Sequence, residues 1–197
     1  MNFDSYKIFL ETNLIHLDAK KKSLFAFLCC ERILPAYINF SNSEKWGNPI
    51  VLHEAMNMIL SYVKGDQPAQ NRMRKVLQEL LENTPDSDDF TSVNTSYAQS
   101  AVSSIYYTLS FILKKNIDEL IWVPILVFEV INMHVTEKLN LPNIDSVIID
   151  NSMEMKRELD KQKTDLKFLL NQSEITPEII EKLRSYPPII KIDETLY

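Results

Sequence analysis

The chain has 197 residues, of which 45% are hydrophobic, enough to enclose one sizeable core. Its 27 acidic against 21 basic residues leave a formal charge of −6, a field that repels nucleic acid and attracts cationic partners. Only two glycines are present, Gly47 and Gly65, so the Walker loop and the dinucleotide fingerprint are excluded: both need several glycines at fixed spacing.

Helical periodicity runs through almost the whole chain. Phe3, Tyr6, Leu10, Leu14 and Leu17 recur at intervals of three and four, and Asp18 is placed to cap a second helix carrying Leu24, Phe25, Leu28 and Ile33. Lys20 to Lys22 form a basic knot at its start, which reads as a solvated face. Pro35 lies inside this pattern, where it removes a backbone donor and crowds the preceding turn, so a kink or stop is expected. Asn48-Pro49 opens a third helix with Leu52, Met56, Ile59, Leu60 and Val63 inward and Gly65 as terminator. A fourth carries Met73, Val76, Leu77, Leu80 and Leu81 and ends near Thr84, because Pro85 disfavours helical geometry in the residue before it.

The loop Pro85 to Phe90, with Glu82, is the densest acidic patch: Glu82, Asp86, Asp88 and Asp89. A calcium loop would need a glycine at its sixth position and a glutamate at its twelfth, and neither is found from any of these aspartates, so Asp88 or Asp89 is expected to cap the fifth helix instead. That helix spans Val93 to Lys114, with Tyr97, Ala98, Ala101, Val102, Ile105, Leu109, Ile112 and Leu113 on its core face. Ser100, Ser104, Tyr107 and Phe111 form a second stripe, which admits close approach by another helix of the fold or of a partner chain.

Asn116 and Glu119 resemble a capping box for a sixth helix, Ile117 to Leu139, in which Glu129 falls opposite the apolar stripe and is expected to face water or a polar neighbour. The apolar run Leu120 to Val130, interrupted by Pro124 and Glu129, is shorter than the roughly 20 residues of a membrane span, so no membrane partner is expected. After a connection from Leu141 to Asp150, a seventh helix near Ser152 to Asn171 alternates in charge and reads as solvent-facing, held by Met155, Leu159, Leu166, Leu169 and Leu170. Glu154 and Glu158 are one turn apart, but no Glu-x-x-His partner exists to complete a di-iron set. Thr176-Pro177 opens a short last helix to about Tyr186, and residues 186–197 read as an extended tail, docked or loose. The expected architecture is all-α: one domain over residues 1–197, a bundle of seven to eight helices with the second kinked at Pro35.

"FLCCERILPAYINF", "WGNPIVLHEAMNMIL", "PDSDDF" and "YAQSA" together resemble the YjaG-like family of small bacterial helical proteins, a domain of unknown function. The resemblance covers most of the chain, and its most specific part is Cys-Glu-Arg-x-x-Pro-x-Tyr, carried by Cys30, Glu31, Arg32, Pro35 and Tyr37. It implies an all-helical fold and no established activity. Where the family has an aspartate before an alanine, this chain has Ser100 before Ala101.

Cys29 and Cys30 project about 100° apart on a helix, so they do not share a metal, and a disulfide between neighbouring residues is strained. His16, His53 and His134 are scattered over separate helices, and neither a metal nor a cofactor is expected. With no apolar leader at the N-terminus, the thiols fit a reducing, cytoplasmic setting. Buried, inert thiols are expected; the opposing reading folds His53 or His134 back beside Cys30 as a nucleophile pair. Arg32 then needs an anionic partner, and the acidic loop is the candidate. Cys30, Glu31, Arg32, Pro35 and Tyr37 with Asp86 and Asp89 therefore read as a structural clamp between the second helix and the fourth-to-fifth junction.

The function expected from these residues is non-catalytic protein binding, specifically an immunity-type protein that covers a basic, nuclease-like toxin. Glu82, Asp86, Asp88 and Asp89, with the stripe Ser100, Ser104, Tyr107 and Phe111, are the candidate partner surface. Two other classes stand beside it: a hydrolase or transferase using Cys30, Glu31 or Glu129, and a homo-oligomeric scaffold joined through the Ser100 stripe.

Overall fold

The computed structural model describes residues 3–140, 146–193 and 195. Among them are ten helical segments and no strand: α1 (Phe3–Leu14), α2 (Ala19–Glu44), α3 (Pro49–Lys64), α4 (Gln70–Glu82), α5 (Val93–Lys114), α6 (Ile117–Leu120), α7 (Trp122–Leu139), α8 (Ser146–Asn151), α9 (Met153–Leu170) and α10 (Pro177–Arg184). The all-α expectation holds. The sixth helix of the sequence reading divides at Ile121 into α6 and α7, and Pro124 supplies the reason, since it has no N–H to offer the carbonyl of Leu120. A further short helix, α8, occupies part of the expected connection, of which residues 141–145 lie outside the described residues.

Helix ends follow from local chemistry. Asp18 accepts from Lys21 N at 2.9 Å, Asn48 from Ile50 N at 3.1 Å, and Gly65 ends α3 at φ 109°, a left-handed geometry that a Cβ would strain. Ser92, not Asp88 or Asp89, caps α5 by accepting from Asn94 N at 3.2 Å. Asp86 instead closes the loop on itself, its carboxylate accepting from Asp88 N at 3.0 Å.

α2 is the central element. It packs most extensively on α5 and also meets α3, α7, α9 and α10, so it is buried nearly all round. The helix does not stop at Pro35 but continues to Glu44. Burial on every side holds the turn that the missing donor would loosen. One continuous core surrounds it, with Tyr6, Phe25, Leu28, Tyr37, Phe40, Ile59, Ile105 and Leu166 among its fully enclosed members. Two stretches, Ala19–Glu44 and Ile117–Leu139, are by length and composition long and apolar enough to cross a membrane; in this fold 83% and 50% of their most apolar windows are buried.

Candidate functional site

The Cys-Glu-Arg-x-x-Pro-x-Tyr segment lies on α2, and each of its polar side chains reaches a different element. Cys30 Sγ is 3.4 Å from Thr108 Oγ1 on α5, and because that hydroxyl already donates to Ser104 O at 2.8 Å, the thiol is the donor. Glu31 faces outward and receives a forked pair from Arg184 on α10, at 2.9 Å from Nε and 2.7 Å from Nη2. Arg32 turns inward to α9. Tyr37 OH donates to Asn83 O at the end of α4 at 3.1 Å and accepts from Asn48 N at the start of α3 at 3.2 Å.

Arg32 departs from expectation. Its partner is not the acidic loop: Nε donates to Glu158 Oε1 at 2.9 Å, Nη1 lies 3.6 Å from Asp165 Oδ2, and Nη2 donates to Cys29 Sγ at 3.4 Å. α9, the helix expected to face solvent, turns Glu158, Gln162 and Asp165 into the core, all at 1% exposure or less. Gln162 Nε2 also donates to Glu158 Oε1, at 2.8 Å, Tyr6 OH donates to Gln162 Oε1, and Lys161 Nζ pairs with Asp165 Oδ1. Two cations, Arg32 and Lys161, thus meet two carboxylates, Glu158 and Asp165, in a neutral, largely dry cluster.

Burial dominates the protonation of its neighbours. It pushes the Cys29 thiol and the Tyr6 phenol well above their ordinary values, and raises Cys30 to about 12 even though the charge of Arg32 acts the other way. For Arg32, burial opposes the charge, but Glu158, Cys29 and Asp165 outweigh it and the guanidinium is held protonated. Asp165 is raised by burial against the pull of Lys161 and Arg32. A thiol in this state is not a nucleophile at neutral pH. His16 and His53 are exposed whereas both sulfurs are buried, and no imidazole is a hydrogen-bond partner of either sulfur among the described residues. Among those residues no group of three or more His, Cys, Asp or Glu side chains is arranged to hold a metal ion.

The contact from α2 to the end of α4 is made by Tyr37, and Arg32, Asp86 and Asp89 are not brought together. Gly47 is part of this contact: it sits at φ 80°, and a Cβ there would lie 2.3 Å from the Tyr37 hydroxyl. Of the second stripe on α5, Ser100, Ser104 and Phe111 are buried inside the fold and Tyr107 is half-buried. Each serine donates back to its own helix, Ser100 to Ser96 O at 3.0 Å and Ser104 to Ser100 O at 2.8 Å. Three of the four residues of the stripe are thus enclosed by the fold itself. Glu129 is half-buried against α1 and α8, beside Phe3, Asp4 and Ser146, and burial raises its carboxyl.

Glu82, Asp86, Asp88 and Asp89 are all exposed, and none takes part in an ion pair among the described residues. Leu81, at 52% exposure, and Val93, at 37%, flank them. Elsewhere α10 and the segment after it cover the Arg32 side of α2, leaving a cavity of about 100 Å³ between Leu28, Glu31, Arg32, Leu183, Arg184, Tyr186 and Pro188. As far as Asp193 the tail is docked: Asn39 donates to Lys191 O at 2.8 Å and accepts from Asp193 N at 2.9 Å.

Sequence reasoning weighed Glu158 only as a metal ligand and missed Gln162 and Asp165. The signal was register: these three lie at the same helical spacing as Met155 and Leu169, on the inward face.

No curated protein matches the chain. The crystal structure of a DUF416 family protein from Shewanella baltica OS155 is similar, with 26% sequence identity, a TM-score of 0.79, and coverage of 88% of this chain and 90% of that one. The model of the family described as protein of unknown function (DUF416) matches residues 10–187, and the chain belongs to that family.

Proposed function

We propose that this protein is a non-catalytic binding protein whose partner is a basic protein, met through the acidic loop and its flanking apolar residues. The observation that carries this reading is a division of charge. The polar groups of the Cys30 to Tyr37 segment are engaged in holding α2 to α5, α9, α10, the start of α3 and the end of α4, whereas Glu82, Asp86, Asp88 and Asp89 are exposed with no cationic partner among the described residues. Unpaired surface carboxylates accelerate encounter with a cationic surface and specify its sign. Leu81 and Val93 supply apolar area beside them. The specific form is an immunity-type protein covering a nuclease-like toxin in the cytoplasm, and the YjaG-like subgroup is inferred from the same Cys30 to Tyr37 pattern.

The test is affinity capture from the native host at low salt, with the wild-type chain beside the Asp86→Asn/Asp88→Asn/Asp89→Asn variant. A basic protein should be retained by the wild type, released as salt shortens the Debye length, and lost from the variant. Equal retention by both chains, or retention insensitive to salt, removes the acidic loop from the interface.

A further inference from the structure

The guanidinium of Arg32 carries five N–H donors, and the structure engages two of them. One meets Glu158 Oε1; the other meets Cys29 Sγ, a weak acceptor. Nη1 stands 3.6 Å from Asp165 Oδ2, within ion-pairing range but beyond a hydrogen bond. That Asp165 oxygen is itself buried without a hydrogen-bond partner, whereas Nη1, equally unbonded, is not fully buried and keeps contact with accessible space, where its N–H groups favour an oxygen acceptor. What exposure Arg32 retains, 6%, is accompanied by its place in the wall of the 100 Å³ cavity beneath α10.

The rest of that cavity defines what the acceptor is. Arg184 stands in the wall with Glu31 held on its fork, while Leu28, Leu183 and Pro188 present hydrocarbon. Charges bonded around the cavity balance: Arg32, Arg157, Lys161 and Arg184 against Glu31, Glu158, Asp165 and Glu181. No net field therefore opposes an incoming anion, and local donors decide. A volume near 100 Å³ admits a carboxylate with two or three carbons.

We propose that this cavity is a binding site for the carboxylate of a small organic acid, its oxygens on the unengaged N–H groups of Arg32 and its hydrocarbon against Leu28, Leu183 and Pro188. The site is independent of the acidic loop and of any partner met there. A ligand of this size binds with a dissociation constant on the order of 1 mM.

The experiment is a titration of the full chain with sodium propionate at constant ionic strength, read from the arginine side-chain Nε–Hε resonances by ¹H–¹⁵N correlation. The Arg32 signal should move saturably; propionamide, the uncharged isostere, should not move it, and inorganic phosphate should give only the weak drift of a general salt effect. Leu183→Phe fills the cavity from within and Pro188→Phe occludes its rim, and each should weaken propionate at least about tenfold. Should Leu183→Phe fail to fold, Pro188→Phe at the half-exposed rim decides alone. A non-saturating Arg32 signal, equal binding of propionamide or phosphate, or undiminished binding by a folded Pro188→Phe chain overturns the assignment.

Discussion

Arg32 on α2 and Glu158 on α9 are 126 residues apart in the chain and 2.9 Å apart in the fold, both almost without solvent. The pair joins the central helix to the one helix whose composition suggests that it belongs to the surface. A buried pair adds little net stability over a well-packed apolar substitute, because desolvation offsets most of the attraction. Breaking one side is different, since it strands the other charge.

Glu158→Ala should therefore destabilise the protein by about 3–5 kcal/mol, read as a lower urea midpoint at unchanged slope. The paired change Arg32→Met with Glu158→Leu should cost clearly less than Glu158→Ala alone. If the single and double variants lose the same midpoint, the stranded-charge account of Arg32 is wrong.

Helix ends were legible because they are written locally. Asp18, Asn48 and Gly65 cap in the structure as their residue types demand, and α5 runs from Val93 to Lys114 as the periodicity gives it. The candidate site was not, because its contacts are non-local. Nothing near Arg32 in sequence points 126 residues ahead, and the alternating charges of α9 conceal that Glu158, Gln162 and Asp165 share the inward stripe with Met155 and Leu169. Pro35 shows the limit of a local rule: its lost donor is one hydrogen bond, set against a helix enclosed on all sides.

Tyr37 and Gly47 should be coupled. Tyr37→Phe removes a donor to Asn83 O and an acceptor for Asn48 N, a loss of about 1–3 kcal/mol. Gly47→Ala combines left-handed strain with a Cβ driven against the same hydroxyl, for a cost above about 2 kcal/mol. In the double variant the clash is relieved while the strain persists, so the two losses should fall short of additive in a denaturation cycle. Strict additivity would show that the two residues do not meet.

Alkaline pH should weaken the fold through the thiols. Burial raises Cys30 from the ordinary 9.0 to about 12 in the folded chain, and Cys29 moves in the same direction. The folded state then holds protons that the unfolded state has released, so the stabilisation is complete below pH 9 and declines as pH rises toward 12. Cys29→Ala/Cys30→Ala should flatten the fall in urea midpoint across that window. At neutral pH neither thiol should react with a maleimide faster than the chain unfolds; rapid labelling of the native protein would restore the nucleophile reading.

The contact of Arg184 with Glu31 should govern the last helix alone. Both side chains are about a third exposed, at 32% and 30%, but two short bonds converge on Glu31 Oε1, and the apolar side chains of α10 that pack on the core are Ile179, Ile180 and Leu183. A forked surface pair of this kind is worth about 1 kcal/mol, close to a factor of five in a local opening equilibrium. Arg184→Ala should accordingly speed amide hydrogen exchange through residues 177–184 by about that factor while the global urea midpoint stays put. A parallel fall in the global midpoint would mean that α10 opens only with the whole bundle. The cavity beneath it would then be reached only as the whole bundle unfolds.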